Sequence, residues 1–584
     1  DGQMITRKGN TKQFALNIVG SSVFGRYAKI NSEFTYNMFA SDNFMVPYAG
    51  YEIAISAANF GNGKIGRGCF TSTKFNRIVT VIDDRVYLTT ITYNQTHSQV
   101  QNFQVSQIGT LQTSSGVVYI TENNKPQIAI SDGTKIYIYD PANSPTLTIP
   151  TIHFVPGYIT YHDSRFLCAA SQDTAAAATV RNNTWRLSEL DSVSTGMNPI
   201  QGGLSWPDSA AFIGQISTKP DNTQAVVRFP SKGNMIMVMG SIVSEAWFDV
   251  GAKLFPYQRT TQFNIDYGCL SPATVAYMDE LVVWLAANEK SGPIIMYSNG
   301  GMPDKVTDDG IDYLFSQLNA PQDSQAFLYR QDGHLFYHIN FYTDNLSLFV
   351  DFLPDGSRKI YHASDQDLNY FIASQVAFFN NQYYFVTRNN GNLFAFDTIF
   401  TTYEDVDAKN NVITHEIPRI RTCKNIRLPS QEYFIANDIG FTIETGETNY
   451  QQQSAWPINL ITEDGKLLIT EGNAIFLETQ DGNLLYTEDG NSLVAQGTDS
   501  TDFSFLISEQ ENIIYTTPRV DMSISRDGGA TFGSDYGYTL NPIGQRKNRL
   551  MWWQVGIAND MVCQFKFWGL GRFVVTDGIL NIRQ

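Results

Sequence analysis

The chain has 584 residues, about three to four times the usual length of one domain, which excludes a small stapled module and predicts several domains or one large all-β unit. Hydrophobic residues at 42% and aromatics at 13%, with 38 Phe and 30 Tyr, exclude wholesale disorder. Asp plus Glu outnumber Lys plus Arg by 57 to 40, and a net charge of −17 excludes a broad electrostatic footprint for phosphate backbones and argues against specific DNA binding.

From its start, Asp1-Gly2-Gln3-Met4-Ile5-Thr6-Arg7-Lys8, the sequence runs into no uninterrupted apolar stretch, and no apolar run of about 18 residues occurs anywhere. The expectation is a soluble product, neither secreted by that route nor inserted in a membrane. Five cysteines, Cys69, Cys168, Cys269, Cys423 and Cys563, stand singly with no CxxC pair. They form neither a zinc pattern nor a disulfide framework and fit folding in a reducing compartment such as a cytoplasm.

Short runs of β-branched and aromatic residues, broken at regular intervals by Gly, Asn, Asp or Pro, set an all-β rhythm. Residues 77–82 precede Asp83-Asp84, and residues 127–130 precede Ser131-Asp132-Gly133, after which 135–139 continue as the second arm of a hairpin. Further hairpin turns are predicted at Asp332-Gly333, Asp355-Gly356, Asn380-Asn381 and Asn390-Gly391. Helical periodicity is confined to Ile311-Asp312-Tyr313-Leu314-Phe315, with Asp308 and Asp309 placed to cap it. Because this rhythm fills residues 1–415, a β-propeller is the economical architecture. The blade number stays open, since only loose phrases recur, such as Gly391-Asn392-Leu393-Phe394-Ala395-Phe396-Asp397.

Between Leu460 and Gln496 an acidic unit recurs: Thr462-Glu463-Asp464-Gly465, Thr470-Glu471-Gly472, Thr479-Gln480-Asp481-Gly482 and Thr487-Glu488-Asp489-Gly490. Each unit reads as one short strand and one solvated acidic turn. Calcium could bind such turns, but the nonapeptide spacing and paired glycines of calcium-binding β-rolls are missing.

The sequence offers no catalytic, cofactor-binding or metal-ligating set. The seven histidines, His97, His153, His162, His334, His338, His362 and His415, include no HExxH; His334 and His338 could share a strand face but supply two ligands without a third. Ser525-Arg526-Asp527-Gly528-Gly529-Ala530-Thr531-Phe532 fits the Asp-box pattern of β-hairpin turns. In it Ser525 and Asp527 are expected to bond buried turn amides, Gly529 to supply an unusual φ, and Thr531 and Phe532 to complete the turn with the ring packed beneath. A sialidase-like or carbohydrate-binding propeller is the alternative function, but one box without its catalytic companions gives it little support. Arg546-Lys547-Asn548-Arg549 followed by Leu550-Met551-Trp552-Trp553-Gln554-Val555 reads as a core strand with a basic edge rather than a nucleic-acid platform.

A resemblance joins these pieces. Ser244-Glu245-Ala246-Trp247-Phe248, Gly251, Phe255-Pro256-Tyr257-Gln258-Arg259, Gly268, Ser271, Leu281-Val282-Val283-Trp284-Leu285, Gly292, Tyr297 and Gly300-Gly301 are similar to the most recognisable stretch of the packaged-DNA stabilisation proteins of short-tailed phages. These are also known as tail accessory factors, tail hub or nozzle proteins. Tyr36-Asn37-Met38-Phe39, Pro47-Tyr48-Ala49-Gly50 and Gln331-Asp332-Gly333-His334-Leu335-Phe336-Tyr337 resemble further family phrases. In Pro47-Tyr48-Ala49-Gly50, two residues part the Pro from the Gly. Towards the C-terminus Phe441-Thr442-Ile443-Glu444-Thr445-Gly446, the 525–532 box, residues 549–556 and Ile579-Leu580-Asn581-Ile582 follow in family order.

The resemblance implies a virion component and not an enzyme. Its expected form is a homo-hexameric ring below the portal and its adaptor, extending the DNA channel, retaining the genome and docking a tail needle or plug and tailspikes or fibres. Genomic DNA would pass through the lumen without sequence-specific binding. The domain expectation is a propeller body over 1–415, a C-terminal β-sandwich-like domain from 416–450 plus 514–584, and an acidic β-repeat insert at 451–513.

Overall fold

The structure is a computed structural model that describes residues 11–583 except 26–31, 95–98, 176–178, 192–201, 230, 253–254, 400, 407–411, 446–517, 541–546 and 570. The acidic repeat falls outside the described residues, and with it both the solvated-turn and the calcium readings. Among the described residues regular secondary structure is almost entirely strand, and their one α-helix, Asp309–Ser316, stands where the periodicity placed it. Asp308 caps it by accepting a hydrogen bond from the Ile311 amide at 2.9 Å.

Among the described residues six propeller blades are each built from consecutive antiparallel strands. Their innermost strands are, in order, Gly66–Ser72, Tyr119–Glu122, Val155–His162, Thr223–Arg228, Ala276–Met278 and Ser324–Gln331. A seventh sheet, Ala373–Phe379, Gln382–Thr387 and Leu393–Asp397, takes its fourth strand, Gly50–Ile55, from near the N-terminus and closes the ring. Gly50 is required there because a Cβ would stand 2.3 Å from the Thr402 carbonyl oxygen.

Blade strands are packed between two neighbours, so both their faces are apolar and the sequence shows continuous runs in place of alternation. In Leu281–Ala286, Val282 and Trp284 join the core shared with the preceding blades, while Val283 and Leu285 join the core shared with the next. In the same way Ile128 and Ile130 face one neighbour and Ala129 the other. The last core sets Tyr384, Val386 and Leu393 of the composite blade against Cys69, Ile78 and Ile82 of the first.

The predicted hairpins form. Gly133, Gly333 and Gly356 have φ of 81°, 86° and 85°, and Asn380 and Asn381 both take positive φ. Gly391 serves a different purpose: a Cβ there would meet the Gly63 carbonyl oxygen at 2.1 Å, so close packing of loops requires it.

A second unit encloses one core between two sheets, as a half-barrel. One sheet contains Thr11–Leu16, Gly578–Arg583, Phe434–Thr445, Phe573–Val575, Phe44–Pro47 and Met38–Ser41, with Lys547–Ala558 paired to Phe434–Thr445. The facing strands are Arg419–Thr422, Val562–Trp568, Arg519–Ser525 and Tyr536–Thr539. Leu16, Met38 and Met45 lie in its core beside Phe441, Trp552 and Phe565, so the earliest strands of the chain belong to this unit. Because Phe441, Ile443, Val520 and Met522, on either side of the insert, lie in that core, deleting 455–510 and closing with a short Gly linker is expected to leave a soluble, cooperatively melting protein. Loss of soluble expression would make the insert part of the core.

Candidate functional site

The strand Arg419–Thr422 joins the two units. It pairs with Phe34–Tyr36, whose Tyr36 meets His362 of the sixth blade, and on its other edge with Val562–Trp568. One hydrogen-bonded sheet therefore runs from the propeller into the half-barrel. Strand periodicity turns Arg419 and Arg421 to the same face, and both are fully buried. Arg421 donates to the carbonyls of Ser21 at 3.0 Å and Asn17 at 3.1 Å, to Thr35 Oγ1 at 3.0 Å and to Glu33 Oε2 at 2.5 Å. Arg419 donates to the Gly569 carbonyl at 3.2 Å and to that of Thr401, with its guanidinium 5.2 Å from the Phe573 ring centroid. Burial pushes its pKa down to about 10, so it remains a cation at neutral pH. The sequence reading missed this joint; its signal is two arginines at strand spacing within Ile417-Pro418-Arg419-Ile420-Arg421-Thr422-Cys423, in a chain poor in charge.

The Asp-box residues come together as a surface turn. Ser525 Oγ donates to Asp527 Oδ1 at 2.6 Å and accepts from the Gly529 amide at 2.8 Å. Asp527 also accepts from the amides of Ala530 and Thr531, each at 3.0 Å, and from Thr531 Oγ1 at 2.6 Å. These bonds, the Ser525 and Thr531 hydroxyls foremost, hold the Asp527 carboxyl well below the usual carboxylate range. Gly529 has φ 95°. Asp527, Ala530 and Thr531 are exposed and Phe532 is only partly buried, so the expectation of buried amides does not hold: water can replace the lost bonds, and the turn is an ordering device.

The phrase Ser244-Glu245-Ala246-Trp247-Phe248 also has a structural use. Buried Glu245 accepts from the amides of Ser217 at 2.9 Å and Thr218 at 2.7 Å, from Thr218 Oγ1 at 2.6 Å, from Arg259 at 3.2 Å and from the Trp247 indole at 3.1 Å. It fastens the loop between the third and fourth blades.

Around the propeller axis lies a cavity of about 250 Å³, lined by inner-strand residues that include Cys69, Tyr119, Tyr158, Tyr277, Phe327 and Gln375. Its lining carries no Asp, Glu, Lys, Arg or His. Burial raises the Cys69 thiol and the Tyr119 and Tyr158 phenols, which keeps the walls neutral. Gln375 is engaged with the Val118 carbonyl at 3.1 Å and the Cys69 amide at 3.2 Å.

All five cysteines are unpaired and buried. Among the described residues no group of three or more His, Cys, Asp or Glu is placed to hold a metal ion, and no helix is long and apolar enough to cross a membrane. His334 and His338 do share a strand face, where the Phe336 ring between them stacks on His334. His334 bonds Asp351 at 2.8 Å and Ser41 at 3.1 Å. His338 is fully buried between Tyr48 Oη at 3.1 Å and Asn340 Oδ1 at 3.0 Å, which suits a neutral ring donating from Nε2.

Burial pushes His338 and His362 down to about 3. Below an unfolded pKa near 6.5 the unfolded chain binds protons that the folded one does not. Their stabilising contribution is therefore full above about pH 6.5 and falls steadily towards pH 3. The melting temperature is expected to decline through that window, less steeply for His338→Gln; equal slopes would count against the neutral buried ring.

A family model described as "Bacteriophage P22 Gp10, beta-propeller" matches residues 83–398, more than half of the chain. No curated protein matches the sequence. Among solved structures, the extracellular domain of a one-component system from B. thetaiotaomicron is similar at 9% identity and TM-score 0.35, over 77% of this chain and 48% of that one. An ancestral GH74 enzyme is similar at 11% identity and TM-score 0.37, over 65% and 51%. Virginiamycin B lyase from Staphylococcus aureus is similar at 8% identity and TM-score 0.34, over 66% and 99%. The chain thus spans about half the length of the first two.

Proposed function

The chain belongs to the bacteriophage P22 Gp10 β-propeller family, and on that membership we propose that it is a non-enzymatic tail component of the virion, forming a hub or nozzle ring of six copies below the portal and adaptor. The ring extends the DNA channel, helps retain packaged DNA, and docks the tail needle or plug and the tailspikes or fibres. The family match across the propeller carries this reading.

Two physical features support it. The axial cavity of about 250 Å³ is far too small for a duplex whose major groove alone is about 12 Å wide, so DNA would run between copies and not through a propeller. The charge of −17 per copy suits a wall along which a polyanion slides, because stacked Lys and Arg would hold phosphates by counterion release. The lumen is accordingly acidic or neutral-polar, a plug below it retains the DNA, and basic residues gather at protein contacts where they steer assembly.

The test is DNA retention. Particles assembled without this chain are expected to package DNA and then lose it, with retention restored when the purified protein is added back, and the protein is expected to turn over no member of a sialoside panel. Full retention without the chain, or sialoside turnover, would overturn the proposal.

A further inference from the structure

The outer face of the sheet built on Phe434–Thr445 carries exposed apolar side chains with basic residues at their border. Its inner face fills the half-barrel core, while the outer face leaves Trp553 68%, Ile557 58%, Ile579 45% and Ile435 42% exposed. Register makes these side chains neighbours: Ile435 stands opposite Ile557, Asp438 opposite Trp553, and Gly440 opposite both Met551 and Ile579. A Cβ on Gly440 would meet Met551 Sδ at 2.2 Å, so the glycine lets Met551 lie flat and extend the apolar band. Together they form an apolar band on the order of 400 Å², in the range of the largest patch of a typical monomer, which is often a functional surface.

The border of this band is basic. Arg549 and Lys547 lie at one end and Arg583 beside Ile435, all exposed. The Arg526 guanidinium reaches the carbonyls of Ile557 at 3.2 Å and Val555 at 3.3 Å along the strand edge. Glu444, 3.9 Å from Lys547, and buried Asp438, bonded to Asn581 at 2.7 Å, are the acids within it.

The complement is present on the same chain. The segment 302–313, which holds the edge strand Asp304–Lys305 and the start of helix Asp309–Ser316, exposes Met302, Asp304, Asp308, Asp309 and Tyr313, while Lys305 is taken up by Asp312. An apolar, basic face and an apolar, acidic edge on one molecule make a head-to-tail pair, and repeated head-to-tail contact with closing rotation generates a ring. DNA offers the basic border its charge but gives the Trp553 and Ile557 band no apolar partner.

We propose that this sheet face is the contact between neighbouring copies of the chain, seating the acidic 302–313 edge of the next copy. The inference rests on the ring reading above and names the surfaces that would build it. Trp553 is its expected anchor, and the Arg549 and Lys547 border sets the register against Asp304 and Asp309.

Mass photometry of the purified full chain tests it. The wild type is expected to form rings, and Trp553→Asp with Ile557→Asp to weaken association at least about thirty-fold, with Trp553→Phe retaining it. Because these positions are exposed, a cooperative melt near the wild-type temperature shows that the loss is not unfolding. Lys547→Glu with Arg549→Glu, and separately Asp304→Lys with Asp309→Lys, should each weaken the ring, and the two sets combined should restore it. Rings that persist in the Trp553→Asp, Ile557→Asp variant overturn the proposal while the ring reading stands. Failure of the combined reversals to restore rings overturns the assignment of the acidic edge. Rings that persist but no longer bind another tail protein assign the face to that protein instead, and a wild type that stays monomeric at all concentrations removes the ring reading itself.

Discussion

Replacing Arg421 by Met is expected to lower stability by about 3–5 kcal/mol, the usual cost of removing one partner from a buried charged network. The side chain supplies donors to two carbonyls, a threonine hydroxyl and the Glu33 carboxylate, and an apolar replacement leaves all four without that partner. Glu33 is left as an uncompensated carboxylate beside a fully buried position. Adding Glu33→Gln should recover part of the loss, because a neutral amide costs less to bury than an unpaired charge. Chemical denaturation of the single and double variants checks this, and a single variant within about 0.5 kcal/mol of wild type would show that the joint is not held by this cation.

Trp284→Ala is expected to cost a similar amount, about 3–5 kcal/mol, by emptying a large volume between tightly packed sheets. Trp284 is fully buried, shares its core with Val238, Met239 and Met296, and donates its indole N–H to the Gly268 carbonyl at 3.2 Å. Gly268 in turn packs so close to the fourth blade that a Cβ would stand 2.3 Å from the Ile242 amide nitrogen. The spaced Gly and Trp of the phage-like phrase are therefore two halves of one contact. A thermal shift of only a degree or two for Trp284→Ala would contradict that reading.

What could be read in the sequence was local. Tight turns need residues that tolerate positive φ, so Asp132-Gly133, Asp332-Gly333 and Asn380-Asn381 announce their hairpins, and Asp308 announces the helix. The propeller was legible from the rhythm of such turns. Its blade number was not: Gly50–Ile55 completes a sheet with Leu393–Asp397, and nothing near either segment records a pairing between strands so far apart. For the same reason the placement of Thr11–Leu16 beside Gly578–Arg583 had no local signal.

The candidate site divides in the same way. The hydrogen bonds of the Ser525 to Phe532 turn follow from side chains a few residues apart, whereas its exposure depends on what packs around it. Arg419 and Arg421 gather partners from residues 17–35, 401 and 569, so only the fold reveals them as a joint. Leu550 to Val555 was read as a core strand with a basic edge, and Leu550 and Trp552 do enter the core. The exposed Trp553 beside them turns that edge into a surface with a use of its own.

Cryo-electron microscopy of the assembled phage tail tests the central claim most directly. The account predicts six copies of this chain in a ring below the portal adaptor, with DNA in a lumen between copies whose walls are acidic or neutral-polar. A different ring order, a lumen lined by stacked Lys and Arg, or a tail without this chain would contradict it.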